Sequence, residues 1–267
     1  MTSAADRVPA PLLVLAGIVS VQFGGALAAT LVPVIGAGGS VVLRLLFASA
    51  LLLVFVRPRW RGHSHRARLT VLAFGVALGL MNFTFYSSLA HLPIGVAVTI
   101  EFIGPLSLAA ALSRRWLDAV AVAAAAAGVV LISEALSTPF ADLEKTGIAL
   151  ALLAGAFWAA YIVLAGRTGG EFPKLEGLAL AMVVATVVTL PLGITSAPSW
   201  SPDILLKAFG IAVLSSVLPY SLELLALRRL SAKVFGILLS LEPAFAALAG
   251  LLVLGQVLSP TQLVGMA

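Results

Sequence analysis

Long apolar runs, separated by short clusters of proline, glycine and charged residues, dominate the whole chain. Nine runs approach the roughly 20 apolar residues that a helix needs to cross a bilayer. They span 11–32, 40–56, 69–90, 94–113, 116–133, 147–165, 175–195, 204–226 and 234–254. A tenth run begins near Ser259 and stops at Ala267, so we expect further residues to complete that helix. The pattern predicts an all-α polytopic membrane protein with ten helices, the tenth truncated in this sequence.

The first apolar run is interpreted as a membrane-spanning helix rather than as a cleaved signal peptide. Small residues at Ala28 and Ala29 resemble a cleavage site only weakly. Because the chain continues directly into further apolar hairpins, a first spanning helix is the better interpretation.

Lys and Arg are distributed unevenly between the two ends of these helices. Cytoplasmic loops of membrane proteins carry an excess of basic residues. With the N-terminus inside, 13 of the 16 basic residues fall in inside segments, whereas Lys145 and Lys207 fall outside and Arg44 lies within a helix. The inside residues are Arg7, Arg57, Arg59, Arg61, Arg66, Arg68, Arg114, Arg115, Arg167, Lys174, Arg228, Arg229 and Lys233. The distribution predicts a cytoplasmic N-terminus, and it explains the net charge of +5 by membrane topology rather than by a nucleic-acid surface.

Composition excludes most soluble and enzymatic classes. Soluble domains are about 45–50% apolar and about 25% charged, whereas this chain is 61% hydrophobic and 10% charged. It has no cysteine for disulfides or thiolate metal sites, and no GxxxxGK[ST], HExxH or GxSxG motif. We therefore expect no enzyme and no cofactor, with a small molecule and the lipid bilayer as partners. The oligomeric state stays open, with a monomer as the simplest case.

An internal repeat is indicated at an offset of 138 residues. Residues 89–96 align with 227–234, and 105–110 align with 243–248. The two aligned stretches enter the membrane from opposite sides, which is typical of the inverted repeats of secondary transporters. This predicts a 5+5 inverted repeat with one five-helix unit over 1–138 and a second over 139–267.

Several blocks of the chain resemble one transporter family. They are Met81-Asn82-Phe83 with Phe85-Tyr86, Leu92 to Val98, Glu101-Phe102 with Gly104-Pro105-Leu106, Trp158, Tyr161 to Leu164, Leu218 to Glu223, Phe235-Gly236, and Leu241 to Ala244 with Leu254-Gly255. They resemble the EamA-type branch of the drug/metabolite transporter superfamily, most closely bacterial threonine/homoserine exporters. Gln256 departs from the glutamate usual in that family. The resemblance implies a ten-helix exporter of small metabolites in the bacterial inner membrane, with both termini cytoplasmic.

Two glutamates are predicted near the middle of the bilayer. Glu101 lies eight residues past Pro93 and Glu242 nine past Lys233, so each is about 12–14 Å into a core about 30 Å thick. Ionisable side chains at that depth usually have a function. We expect Glu101 to bind a substrate ammonium group or a coupling proton; the alternative is an ion pair with Arg44. Glu242 is a second proton or substrate group, or it caps backbone N–H groups beside Pro243.

Arg44 could bind a substrate carboxylate, since its planar fork suits that geometry. A structural role, in which it snorkels outward or holds a carboxylate of the protein, is favoured from the sequence alone. Glu223 lies near the inner end of its helix and is interpreted as a gate or surface ion-pair residue.

Other polar and aromatic side chains inside helices are candidates for lining a pocket. They are Gln22, Asn82, Tyr86, Trp158 and Tyr161. Spacings of four and three residues place Asn82 with Tyr86, and Trp158 with Tyr161, on common helix faces. The alternatives are hydrogen bonding between helices and, for the aromatic rings, a place at the membrane interface.

Helix kinks are expected at Pro105, Pro219 and Pro243, because proline removes a helical hydrogen bond. The freed carbonyls need partners within a membrane, so such kinks gather near cavities.

These features favour a secondary exporter of small amino acids that works by alternating access, with proton antiport as its energy source. Other cargo on the same fold, such as aromatic amino acids, drugs or nucleotide precursors, is the alternative. A membrane enzyme acting on lipid-linked phosphates would need clustered Arg, His and Asp at one face, which the sequence does not show. A scaffold or receptor would not need the two buried glutamates.

Overall fold

The protein is helical throughout the residues that the structure, a computed structural model, describes: 8–113, 116–132, 143–245, 248, 251 and 259–266. No strand occurs among them. The helices are α1 (Ala10–Ala29), α2 (Val32–Val56), α3 (His65–Ser88), α4 (Ile94–Ala111), α5 (Trp116–Ile132), α6 (Lys145–Glu171), α7 (Glu176–Gly193), α8 (Pro202–Leu227), α9 (Ala232–Leu239) and α10 (Pro260–Met266). A π-helical stretch, Val213–Val217, interrupts α8. The predicted all-α fold with ten helices is confirmed.

Five of the described helices are long and apolar enough to cross a membrane: α2, α3, α6, α7 with its 3₁₀ extension to Ser199, and α8. Shorter apolar stretches belong to α1, α4 and α5. Large apolar side chains are exposed on the outside of the bundle; Phe55 is 79% and Leu206 72% exposed. An apolar outer surface of this kind suits lipid rather than water.

The second helix begins earlier than the sequence predicted. Residues 33–39 were expected to form a loop, but α2 starts at Val32 and continues across a break at Gly36, whose φ is +72°. Pro33 fits the first turn of a helix, where its missing N–H costs nothing. Glycine adopts the positive φ of the break without a steric penalty. Proline and glycine therefore mark a helix start and a kink here, not a connection between helices.

Helix packing follows a paired pattern. The helix α3 packs on α6 while α1 packs on α8, and α3 packs on α7 while α2 packs on α8. Likewise α4 contacts α6 while α1 contacts α9, and both α2–α7 and α5–α10 are packed pairs. Exchanging the first five helices for the last five leaves this set of contacts unchanged. A bundle with pseudo-two-fold symmetry has this property.

The relative direction of equivalent helices is that of an inverted arrangement. At one end of α2, a Cβ on Gly38 would lie 3.2 Å from the Cα of Gly193, at the end of α7. Just beyond the other end, the Arg59 N–H donates to Glu176, at the start of α7, over 3.1 Å. The helices α2 and α7 therefore run antiparallel. The boundary at 138, residues 252–258 with Gln256, and most of the predicted end of the ninth helix lie outside the described residues and stay predictions.

Backbone contact between α4 and α6 depends on two glycines. A Cβ on Gly104 would overlap the carbonyl of Gly155, and a Cβ on Gly155 would lie 2.5 Å from the carbonyl oxygen of Glu101. Small residues allow this close approach of membrane helices. The contact fixes the backbone of Glu101 against α6.

Gly155→Ala is expected to destabilise the protein, because the added methyl group meets backbone rather than a movable side chain. Overpacking costs about 1–3 kcal/mol, and each kcal/mol lowers Tm by roughly 2–4 °C in a chain of this size. Thermal unfolding in detergent measures the effect. The matched control is Gly166→Ala on the same helix, where a Cβ meets no atom within 4 Å. Equal Tm values for the two variants would contradict the close contact.

Candidate functional site

Arg44 is a buried cation with neutral partners. Its side chain is 4% exposed on α2. Nη2 donates to Oδ1 of Asn82, and Nη1 lies 3.4 Å from the Tyr86 hydroxyl. The guanidinium carbon is 5.2 Å from the centroid of the Tyr86 ring. Among the described residues no carboxylate lies within 4.0 Å of Arg44, and its buried Nε has no hydrogen-bond partner.

This arrangement changes the interpretation of Arg44. The alternative of an ion pair with Glu101 is not found between these two described residues. A charge inside a membrane protein normally pairs or faces a pathway. Because Arg44 has neutral protein partners, it is suited to receive an anion.

Asn82 connects the two sets of five helices. Its Nδ2 donates to the Leu78 carbonyl over 2.8 Å and to the Tyr220 hydroxyl over 3.0 Å. Asn82 and Tyr220 are separated by 138 residues, which is the offset of the sequence repeat. The hydrogen bond therefore joins equivalent positions of α3 and α8, next to Arg44.

A second buried pair lies beside Tyr220. The Tyr161 hydroxyl donates to Oε2 of Glu223 over 2.6 Å. Tyr161 is 1% and Glu223 5% exposed. The Tyr161 ring contacts the Tyr220 ring at a centroid distance of 5.6 Å. Contacts thus run without a gap from Arg44 through Asn82, Tyr220 and Tyr161 to Glu223.

Glu101 and Glu242 complete the acidic side of this cluster. Glu101, on α4, is 8% exposed. Glu242 starts the short helical turn after α9 and lies within electrostatic range of both Glu101 and Glu223. No described Lys or Arg pairs with any of the three within 4.0 Å. One guanidinium and three carboxylates are therefore gathered inside the bundle without an ion pair between described residues.

The three prolines predicted to kink helices lie close in sequence to the acidic residues. Pro243 follows the end of α9 at Leu239, the residue whose carbonyl it cannot bond, and the helix resumes at 242. Pro219 directly follows the π-helical stretch. Pro105 lies inside α4 and leaves the Glu101 carbonyl free at the contact with Gly155. Each proline thus lies within four residues of one of the acidic residues.

Of the remaining candidates, Trp158 joins the cluster and Gln22 does not. Trp158 is 8% exposed, and its ring meets Phe102 edge-on at 4.9 Å, next to Glu101. Gln22 is half-buried on α1. No hydrogen bond found between described residues connects Gln22 to the cluster.

The sequence analysis did not predict that Glu223 and Tyr220 belong to the cluster. Glu223 was expected at a gate or in a surface ion pair, but it is buried and bonded to Tyr161. Its position close to Arg228 in sequence was misleading, since Arg228 instead donates to the Gly169 and Phe172 carbonyls. Tyr220 was not singled out, although its offset of 138 residues from Asn82 was a usable signal.

A multi-pass helical bundle that holds charged side chains inside it, unpaired among the described residues, is typical of membrane transporters. Residues 145–267 match the EamA-like transporter family. Over 257 residues the chain is 39% identical to the threonine/homoserine exporter RhtA of Escherichia coli (strain K12), covering 95% of this chain and 86% of that protein. RhtA of Salmonella typhimurium (strain LT2) is 39% identical over 258 residues, covering 96% and 86%. The chain belongs to the EamA-like transporter family.

The fold comparison agrees. A solved crystal structure of a protein with 17% sequence identity superposes with a TM-score of 0.75, over 96% of this chain and 92% of that chain. At that identity the likeness shows a common fold.

Proposed function

We propose that this protein is a secondary-active exporter of small amino acids similar to threonine or homoserine, in the bacterial inner membrane with its N-terminus in the cytoplasm. The observation that supports this most directly is the cluster of one guanidinium and three carboxylates, of which Arg44, Glu101 and Glu223 are buried and Glu242 is half-buried, without ion pairs among the described residues. An amino acid carries both complementary charges. The names of relatives at 39% identity, threonine/homoserine exporters, agree with this cargo.

In the proposed site, Arg44 binds the substrate carboxylate through two parallel N–H groups. Glu101, with Glu242 beside it, binds the ammonium group. Asn82 and Tyr86, which already contact Arg44, are placed to hydrogen-bond a hydroxyl side chain. Trp158 and Tyr161 form the apolar wall.

Transport is proposed to occur by alternating access, coupled to proton antiport. Arg44, Glu101 and Glu223 are buried, so a substrate reaches them only when the bundle opens at one end. Inverted repeats provide inward-open and outward-open states of similar energy, because each half can adopt the conformation of the other. The paired packing of α3 with α6 and α1 with α8 supports such an exchange.

A larger, aromatic amino acid is the second candidate cargo. The rings of Phe74, Phe102, Trp158 and Tyr161 lie beside the charged residues, with centroid distances of 5.5 and 4.9 Å within the two ring pairs. Such rings would stack on an aromatic substrate.

Counterflow in proteoliposomes tests the function. Vesicles loaded with unlabelled threonine or homoserine are expected to take up labelled threonine, whereas vesicles loaded with threoninamide, which lacks the carboxylate, are not. Empty vesicles and phenylalanine-loaded vesicles are the controls. Uptake of labelled phenylalanine into phenylalanine-loaded vesicles, without threonine exchange, would favour the aromatic cargo, and no exchange with any amino acid would contradict the proposal.

A further inference from the structure

Glu223 occupies a junction of three helices that belong to both halves of the bundle. Its own helix, α8, packs against α1 of the first five helices. At Gly17 of α1, a Cβ would lie 3.8 Å from Cγ of Glu223. On another side, Tyr161 of α6 donates its hydroxyl to Oε2 over 2.6 Å. A relative movement of α1 and α8 would therefore change the surroundings of this carboxylate directly.

The groups that face Glu223 include no close cation. They are the hydroxyls of Tyr161 and Tyr220, with Glu242 at longer range. The helix α1 has no charged residue between 10 and 29. Within the described residues no ion pair joins Glu223 to a Lys or Arg, and Glu176 of α7 is engaged by Arg59 and His63. An unpaired buried carboxylate is costly, so it lowers its energy by taking up a proton.

Glu223 is suited to exist both with and without a proton. When it is ionised, the Tyr161 hydroxyl stabilises the negative charge through a charge-assisted hydrogen bond. When it is protonated, the carboxyl group is neutral and keeps the Tyr161 hydroxyl as a hydrogen-bond partner. Glu101 differs from Glu223 in this respect. Among the described residues no hydrogen bond to the Glu101 side chain is found that would stabilise its ionised form when no substrate is bound. Glu223 also lies four residues from Leu227, about 6 Å along α8 from its inner end.

We infer that Glu223, oriented by Tyr161, is the carboxylate that carries the exchanged proton, while Glu101 and Arg44 hold the substrate. The inference rests on the proposed amino-acid/proton antiport. In the outward-open state a proton from outside binds a Glu223 oxygen as the amino acid leaves. In the inward-open state the O–H bond breaks, the proton passes to cytoplasmic water, and a new amino acid binds. One proton enters for each amino acid exported, and the protein returns to its starting state.

Glu223→Gln separates the two roles in proteoliposomes. The wild type is expected to show threonine counterflow at equal pH and a several-fold stimulation of threonine movement by a pH gradient. In Glu223→Gln, counterflow is expected to remain measurable and the stimulation to vanish, because glutamine cannot release a proton. Glu144→Gln, at an exposed carboxylate hydrogen-bonded to His91, is the matched control and is expected to keep the stimulation.

The outcomes distinguish this inference from the proposed function. No wild-type exchange of any amino acid would overturn both. Wild-type counterflow without any effect of a pH gradient would overturn antiport and with it the role of Glu223, leaving export intact. A Glu223→Gln protein that is still stimulated by the gradient would overturn the inference alone. A folded Glu223→Gln protein without counterflow would also overturn it and place Glu223 in the substrate site.

Tyr161→Phe provides a second test that keeps the carboxylate. Losing the hydroxyl donor removes support for the ionised form, so the pH midpoint of gradient-driven transport is expected to move upward. A substrate-induced proton release near one per protein, followed with a pH indicator in detergent, is expected for the wild type and not for Glu223→Gln. An unchanged midpoint in Tyr161→Phe, or equal proton release by both proteins, would overturn the inference even if one variant folds poorly.

Discussion

Replacing Arg44 with methionine is expected to abolish threonine counterflow while the protein remains folded. The guanidinium is the one described cation inside the cluster, and its protein partners are the neutral Asn82 and Tyr86. Removing one partner of a buried hydrogen-bonded charge pair costs about 2–5 kcal/mol, which corresponds to a loss of affinity of roughly thirty-fold or more. Methionine has a similar length and is apolar, so it fills the space without leaving a buried charge.

Three comparisons make the Arg44 prediction specific. Arg44→Lys keeps the charge but not the planar fork, so an intermediate loss is expected. Arg66→Met, in the exposed first turn of α3, is expected to keep wild-type counterflow. Threonine is expected to raise the Tm of the wild type but not of Arg44→Met, since a ligand stabilises only the state that binds it. Wild-type counterflow in Arg44→Met, with threonine still preferred over threoninamide, would contradict the role of Arg44.

The helices were predictable because the bilayer itself limits their length. A run such as 69–90 has to span the hydrocarbon core, so its apolar length alone indicates the helix that became His65–Ser88. The early start of α2 was harder to predict from the sequence. Pro33 and Gly36 interrupt an apolar run in ways that suit either a loop or a kinked helix, and the difference depends on packing against α7 and its 3₁₀ extension.

The site was only partly predictable for a related reason. Spacing along one helix placed Asn82 with Tyr86, and both contact Arg44. The partnership of Tyr161 with Glu223 joins two helices 62 residues apart in sequence, and no local pattern specifies which faces of α6 and α8 meet. The repeat offset of 138 residues was the one sequence signal for a contact between helices. Equivalent residues of the two halves can meet at the pseudo-two-fold axis, as Asn82 and Tyr220 do.

The groups proposed to bind the substrate carboxylate and the substrate ammonium lie on different helices, which has a consequence for transport. Arg44 lies on α2 and Glu101 on α4, while Tyr161 and Tyr220 belong to the last five helices. A substrate held by both charges bridges α2 and α4 of the first half, and it reaches the second half through the neighbouring Tyr161 and Tyr220. Binding of a zwitterion therefore favours the conformation in which both ends of the site contact the substrate. An empty site, or a ligand with only one of the two charges, does not favour that conformation.

Glu101→Gln is the second replacement for which we expect a very large effect. Glutamine matches the shape of glutamate but lacks the negative charge that the ammonium group needs inside a low-dielectric site. Glu101 is 8% exposed, so water cannot readily supply the missing interaction. We expect expression and Tm to stay close to the wild type and export of threonine to fall to background. Efflux from loaded cells and counterflow in proteoliposomes both measure it.

A second test compares threonine with the analogue that lacks its amino group. The preference is measured within one protein, so it does not depend on how much of that protein is folded. The wild type is expected to discriminate strongly in favour of threonine, because only threonine satisfies Glu101. Glu101→Gln is expected to bind threonine and the analogue equally weakly, with Arg44 still holding the carboxylate of each. Glu144→Gln, which removes an exposed carboxylate instead, is expected to keep the wild-type preference. Full export by Glu101→Gln, or a retained preference for threonine, would assign the ammonium site to Glu242, the neighbouring carboxylate of the same cluster.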